Sequence, residues 1–184
     1  FTATAGQTYH IQVLGTDYAS SVFISDPFLP GRVQVSLTAM SGSGFAPAND
    51  NFAGATVMTG ASAQLLVSNA AAGGESGEPF DMPDANTNSV WAAWTAPSTG
   101  TWTLSARQSD FDNELAVYTG TAVNALTRLN YADQAYAPLG GPDAGGGVVT
   151  FNATGGQTYR FQIVGAAVGA TEYGVCRLNL QPAT

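Results

Sequence analysis

The chain has 184 residues, 45% of them apolar, enough for one sizeable core, and aromatic residues recur along it, which excludes a disordered polymer. Only 10% of residues are charged; there is no lysine, and five arginines stand against thirteen acids, for a net charge of −8. That balance excludes nucleic acid and anionic membrane surfaces, which are held by clustered cations, and no apolar run reaches the ~18 residues of a membrane span.

The first segment, Phe1-Thr-Ala-Thr-Ala-Gly-Gln-Thr-Tyr-His-Ile-Gln-Val-Leu-Gly15, returns as Phe151-Asn-Ala-Thr-Gly-Gly-Gln-Thr-Tyr-Arg-Phe-Gln-Ile-Val-Gly165, with nine of fifteen positions identical. Downstream, Gly31-Arg-Val-Gln-Val-Ser-Leu37 follows the pattern of Gly174-Val-Cys-Arg-Leu-Asn-Leu180. Such a match indicates duplication. In both copies apolar residues alternate with polar ones: Tyr9, Ile11 and Val13, then Tyr159, Phe161 and Ile163. Period two with one apolar face predicts half-buried antiparallel strands. Residues 1–40 are therefore read as the closing strand pair of a preceding or complementing repeat, a two-strand hairpin in form. Residues 41–50, small and proline-containing, read as a linker. The start within strand-like sequence reads as a piece processed from a longer precursor.

Residues 51–184 form the complete repeat. Strand candidates follow at 55–58, 63–68, 89–95, 101–106, 114–119, 126–131, 147–152, 158–164 and 173–180, with Pro79, Pro83, Pro97, Pro138 and Pro142 between them. No segment carries a long helical period. Short strands at regular spacing predict an all-β protein: an antiparallel, jelly-roll-like β-sandwich preceded by a two-strand partial repeat. Val90, Trp91 and Trp94 read as core or sheet-face side chains; an exposed Trp91 or Trp102 stacking on sugar is the sharper alternative. Along Phe111-Asp-Asn-Glu-Leu-Ala-Val-Tyr118 the apolar Phe111, Leu115 and Val117 share one face, and Asp112 and Glu114 take the other. Gly145-Gly-Gly147 lacks the Lys-Ser/Thr of a phosphate loop and reads as a flexible turn. Cys176, the single cysteine, reads as a buried strand residue.

Several stretches carry a family resemblance: Asn49-Asp-Asn-Phe-Ala53, Glu75-Ser-Gly-Glu-Pro79, Ser89-Val-Trp-Ala-Ala-Trp-Thr-Ala-Pro97, Ser109-Asp-Phe-Asp-Asn-Glu-Leu-Ala-Val-Tyr-Thr-Gly120 and the second copy of the duplicated segment. Over about residues 48–182 the chain resembles bacterial extracellular β-sandwich repeats related to the pre-peptidase C-terminal domains of secreted proteases. The resemblance implies a module appended to, or repeated within, large secreted proteins at the bacterial surface. It implies no activity.

Catalysis has little to stand on. The one histidine, His10, is replaced by Arg160 in its own duplicate, no Gly-x-Ser-x-Gly elbow occurs, and no His/Cys spacing fits zinc. Calcium is the one cofactor that the residue types suit, because hard cations take carboxylate and amide oxygens and the acids here cluster. Related calcium-binding sandwich domains of secreted collagenases use an Asn-Asp pair at the domain entrance with later acids. Asn49 and Asp50 match that pair by type, so the resemblance implies Asn49, Asp50, Asp110, Asp112 and Asp133 as calcium ligands. The glutamates that precede the pair in those domains are absent from Phe45-Ala-Pro-Ala48. Ordinary turn acids and caps are the other reading.

The partial repeat has an apolar face, Tyr9, Ile11, Val13, Val33, Val35 and Leu37, that needs cover, since two strands alone are marginal in water. A lost domain, the chain's own sandwich or a neighbouring subunit could supply it, the last by strand addition. The sequence thus points to a non-enzymatic extracellular module joined through residues 1–40 to copies of itself or adjacent repeats: a surface polymer, filament or adhesin. The alternative is an accessory module of a secreted hydrolase that binds polysaccharide or matrix protein.

Overall fold

Period-two alternation gives each sheet one apolar surface, and two such surfaces leave water by facing each other. A computed structural model shows this arrangement. It describes residues 7, 8, 10, 11, 46–79, 85–107, 109, 111–133, 146–166 and 173–183. The chain divides into two compact units, Phe1–Leu37 and Thr38–Thr184. In the first unit Gln7, Thr8, His10 and Ile11 are described, and all are exposed. Tyr9, Val13, Val33, Val35 and Leu37 lie outside the described residues, and so does the first half of the stretch read as a linker, 41–45.

The second unit carries, among the described residues, β1 (Thr56–Met58), β2 (Ala63–Ser68), β3 (Ala85–Thr95), β4 (Gly100–Ser105), β5 (Asn113–Thr119), β6 (Thr127–Asp133), β7 (Val148–Ala153), β8 (Thr158–Ala166) and β9 (Val175–Pro182). Each coincides with a run expected from the sequence, with shifted ends. Its helical content among the described residues is two 3-10 turns, Phe52–Gly54 and Val123–Ala125; no helix there is long and apolar enough to cross a membrane. The strands form a five-stranded sheet, β1-β3-β8-β5-β6, and a four-stranded sheet, β2-β9-β4-β7.

Three features differ from the expectation. First, β1 runs parallel to β3, with Thr56 opposite Ala92 and Met58 opposite Trp94; the chain crosses to the other sheet as β2 in between and returns in its original direction. Second, β8 and β9 are not a hairpin. β8 lies between β3 and β5, and β9 lies between β2 and β4 in the opposite sheet. Third, the stretch read as linker ends inside the sandwich unit, where Asn49 is buried.

The core lies between the sheets. Val90, Ala92 and Trp94 of β3, Leu115 and Val117 of β5, and Tyr159, Phe161 and Ile163 of β8 face Trp102 and Leu104 of β4, Val149 and Phe151 of β7, and Cys176, Leu178 and Leu180 of β9. Trp94 meets Trp102 across the gap at 4.7 Å and Phe151 at 6.3 Å, both edge-on. Each such side chain contributes about 1.5–3 kcal/mol on leaving water. The turn into β8 is fixed locally. Gly156 sits at φ +81°, which favours glycine, and the Thr154 amide donates to Tyr159 Oη at 2.7 Å.

The sheet edges β6 and β7 meet at one corner. Asn130 Nδ2 donates to the Thr150 carbonyl at 2.9 Å, and Asn130 Oδ1 accepts from the Tyr131 amide. One side chain thereby satisfies groups on both edges, which disfavours pairing with a stray strand. The glycines leading into β7 are a correction. Gly146 and Gly147 are buried, and an added Cβ would lie 2.0 Å from the Ala106 carbonyl oxygen or 2.8 Å from that of Ala132. They permit a close approach of backbones rather than supplying slack.

Candidate functional site

The outer face of the five-stranded sheet holds the densest set of buried polar groups. Strand alternation places Ser89 and Trp91 of β3, Arg160, Gln162 and Val164 of β8, and Glu114, Ala116 and Tyr118 of β5 on the side away from the core. That side ordinarily meets water. Here Ser89, Trp91, Gln162, Val164, Glu114, Ala116 and Tyr118 are all buried, and residues 46–55 and the loop 69–79 lie over Ser89, Trp91, Gln162 and Tyr118 as a roof. Phe52 packs edge-on against Trp91 at 5.3 Å, and Trp91 lies 6.0 Å from Tyr118. The Arg160 guanidinium covers the Phe52 ring at 4.5 Å.

Acids and amides fasten the roof. Asn49 acts as a one-residue strand: its carbonyl accepts from the Trp91 amide at 2.8 Å, and its Nδ2 donates to the Trp91 carbonyl at 3.2 Å. Asp50 Oδ1 accepts from the Gly73 amide at 2.6 Å, and Glu75 Oε1 accepts from the Phe52 amide. Glu78, 8% exposed, is the hub. Its Oε2 accepts from the Glu75 amide at 2.9 Å. Its Oε1 accepts from Trp91 Nε1 at 2.9 Å and Gln162 Nε2 at 3.1 Å, with Ser89 Oγ also in contact. Gln162 Oε1 in turn accepts from the Tyr118 hydroxyl at 2.9 Å.

None of those donors carries a charge. Burial pushes the Glu78 carboxyl above the usual carboxylate range, against the opposing pull of Ser89, the Glu75 amide, Gln162 and Trp91. Proton counting agrees. Ser89 Oγ contacts both the Gly73 carbonyl, at 3.2 Å, and Glu78 Oε1, but it has one proton to give. A proton on Glu78 would donate to Ser89 Oγ and leave the hydroxyl free to serve Gly73.

The five residues proposed as calcium ligands are spread apart. Asn49 and Asp50 lie beside β3, on the side away from β8. Asp133 lies on β6, three strand spacings or about 14 Å from β3. Calcium ligands stand about 2.3–2.6 Å from the ion, so one ion cannot bridge these edges. Asp112 is half-buried just before β5, near Asp133, which pairs with Glu114 across β5 and β6. Asp110 lies outside the described residues. Among the described residues no group of three or more His, Cys, Asp or Glu side chains is placed to hold a metal.

The sugar-stacking alternative is corrected: Trp91 and Trp102 are both buried and offer no platform. Glu114, read on the polar face of β5, is also buried. Cys176 is buried in the core. Of the residues assigned to assembly, Ile11 is described, and it is 54% exposed. Sequence reading missed Ser89, Gln162 and the role of Glu78. The available signal was Gln162 itself, which the first copy retains as Gln12 on the polar face.

No family model matches the chain. No curated protein matches it either. Among solved structures it is similar, over 70% of its length and at 11% identity, to CorA of Methylomicrobium album BG8, described as a surface-associated copper-binding protein; the match covers 98% of that chain with a TM-score of 0.41. The K1 cleaved adhesin domain of Lys-gingipain from Porphyromonas gingivalis W83 matches 52% of the chain and 63% of its own, at 15% identity and TM-score 0.34. The K3 domain of that protein matches 55% and 68%, at 14% identity and TM-score 0.30.

Proposed function

We propose that the chain is a non-enzymatic structural module of a bacterial extracellular assembly, built from repeats of this sandwich and joined through residues 1–40. The observation that carries the proposal is the contrast within the duplication. Phe161 is fully buried between the sheets, whereas its counterpart Ile11 is 54% exposed. An apolar residue whose duplicate fills a core, itself exposed to water, has a drive toward a host. The roof supports a structural role as well. Asp50, Glu75 and Glu78 accept bonds from backbone amides, as caps do, rather than converging on an open cleft with a nucleophile or base.

The test is deletion of residues 1–37, with Ile11→Asp as the conservative companion. In extracellular fractions the intact protein is expected to sediment with its assembly. Both variants are expected as free species whose sandwich melts at an unchanged Tm. Assemblies that persist without residues 1–37 reject the proposal.

A further inference from the structure

We infer that residues 1–37 dock as two inserted strands, one in each sheet of a host formed by the seven leading strands of a like repeat, rather than as a hairpin added to a sheet edge. The inference rests on the proposed function and specifies its partner.

The second copy supplies the geometry. Sequence equivalence assigns Tyr9, Ile11 and Val13 to the positions of Tyr159, Phe161 and Ile163, and Val33, Val35 and Leu37 to those of Cys176, Leu178 and Leu180. All six counterparts are buried, the first three on β8 and the last three on β9. β8 is bonded on both sides, with Phe161 opposite Ala92 of β3 and Val117 of β5. β9 is likewise flanked, with Leu180 opposite Ala63 of β2 and Leu104 of β4. The two strands belong to different sheets and face each other across the core. As a hairpin on a single sheet edge the segment would turn both apolar faces to one side of one sheet; divided between two sheets, they face each other across a core, as their counterparts on β8 and β9 do.

Two consequences define the partner. An intact sandwich such as residues 46–183 cannot be the host, because β8 and β9 already fill both positions. The host must present equivalents of β3 and β5, and of β2 and β4, with vacancies between them. Its roof must also resemble the one here. The position of Gln12 belongs to Gln162, which meets Glu78 and Tyr118, and that of His10 belongs to Arg160, which covers Phe52.

Residue-resolved amide exchange on the native assembly tests the geometry. A strand flanked on both sides has every amide bonded, whereas an edge strand bonds alternate amides to its host. Consecutive protection over residues 8–14 and 32–37 is the expected result. Alternate protection in either segment, as the outer strand of an edge-added hairpin would show, overturns insertion and leaves the proposed function standing; if no residue of 1–37 is protected and Ile11→Asp leaves the assembly intact, both fail. A second measurement needs no assembly. In the full protein, Arg160→His, Phe161→Ile, Ile163→Val and Val164→Leu together write the first copy's residues from Thr8 to Gly15 into β8. A cooperative melt with Tm lowered by about 5–10 °C supports the equivalence. Loss of cooperative unfolding overturns it.

Discussion

The two copies of the duplicated segment have opposite fates in one chain. Gln7 and Gln157 are exposed, as are Thr8 and Thr158, so the turn and the solvent-facing positions behave alike. Three residues further on, they part: Phe161 is wholly buried and Ile11 is not. Alternation specifies which side of a strand wants a core. It does not specify whose core. The second copy finds β3 and β5 on its flanks and Trp91, Glu78 and Phe52 beyond them, and those neighbours come from residues far away in sequence.

The largest expected effect comes from placing a charge at each equivalent position. Phe161→Asp puts a carboxylate between the sheets, where ionised groups without partners cost several kcal/mol. Losses above ~4–5 kcal/mol exceed what most domains can bear. We expect no cooperative thermal transition and no near-ultraviolet circular dichroism. Ile11→Asp should move the melting of the sandwich by no more than about 1 °C. Equal losses at the two sites would erase the distinction between the copies.

Next in size is the hub that the second copy reaches through Gln162. Glu78→Ala strands the donors Trp91 Nε1 and Gln162 Nε2, and unsatisfied buried donors cost about 1–3 kcal/mol. Glu78→Gln keeps the shape and removes the titration. Because burial raises the folded carboxyl above its unfolded value, the folded state holds the proton over a range where the unfolded chain has released it. The contribution of Glu78 is thus fully present at low pH and falls as pH rises through the raised value. Denaturant unfolding at a series of pH values should show wild type losing stability relative to Glu78→Gln toward alkaline pH. A constant difference between the two would show that the buried carboxyl is not linked to folding.

Much of the sandwich was legible because its signals are local. Tyr159, Phe161 and Ile163 declare one face by themselves, and Gly156 declares a turn. Topology was less so: nothing in residues 158–180 says that the chain changes sheets between Ala166 and Val175, since a hairpin and a crossover carry the same alternation. The roof was the least legible. Trp91, Glu114 and Gln162 sit on the face that period-two reading gives to solvent, and Glu78 reads as a turn acid. The burial of Trp91 and Gln162 depends on residues 46–55 and 69–79 folding back over the sheet, a long-range event with no periodic trace. The spacing of the calcium candidates was illegible for the same reason: Asn49 and Asp50 lie beside β3, and Asp133 lies on β6 across the sheet.

A smaller effect tests whether the shared glycine serves the turn alone. Gly6 and Gly156 are identical, and Gly156 has φ +81° with open space around its Cα. A side chain there meets no neighbour but is held in the left-handed region, at a cost of about 1 kcal/mol or somewhat more. Gly156→Ala should lower the Tm by a few degrees and leave folding cooperative. An unchanged Tm would mean that the turn relaxes, and that the glycine reflects shared ancestry rather than backbone need.

The smallest expected effect concerns a polar position of β8 where the copies differ in side-chain chemistry. Arg160 lays its guanidinium over Phe52, which in turn caps Trp91; the first copy has His10 there. Arg160 Nε is buried without an acceptor, so its replacement loses the stack without breaking a bond at that atom. An Arg–aromatic stack contributes about 0.5–1 kcal/mol at an accessible site. Arg160→His should therefore lower the Tm by about 1–4 °C at pH 8. Part of the loss should return at pH 5, because a histidine with an ordinary titration is then a cation that can occupy the same place over the ring. The comparison is best read as the difference between Arg160→His and Arg160→Ala at the two pH values, which cancels the titration of Glu78. Recovery for the histidine variant alone would establish that charge over Phe52 is what the roof uses. Equal behaviour of the two would make the arginine a spacer, and the divergence between the copies at this position neutral.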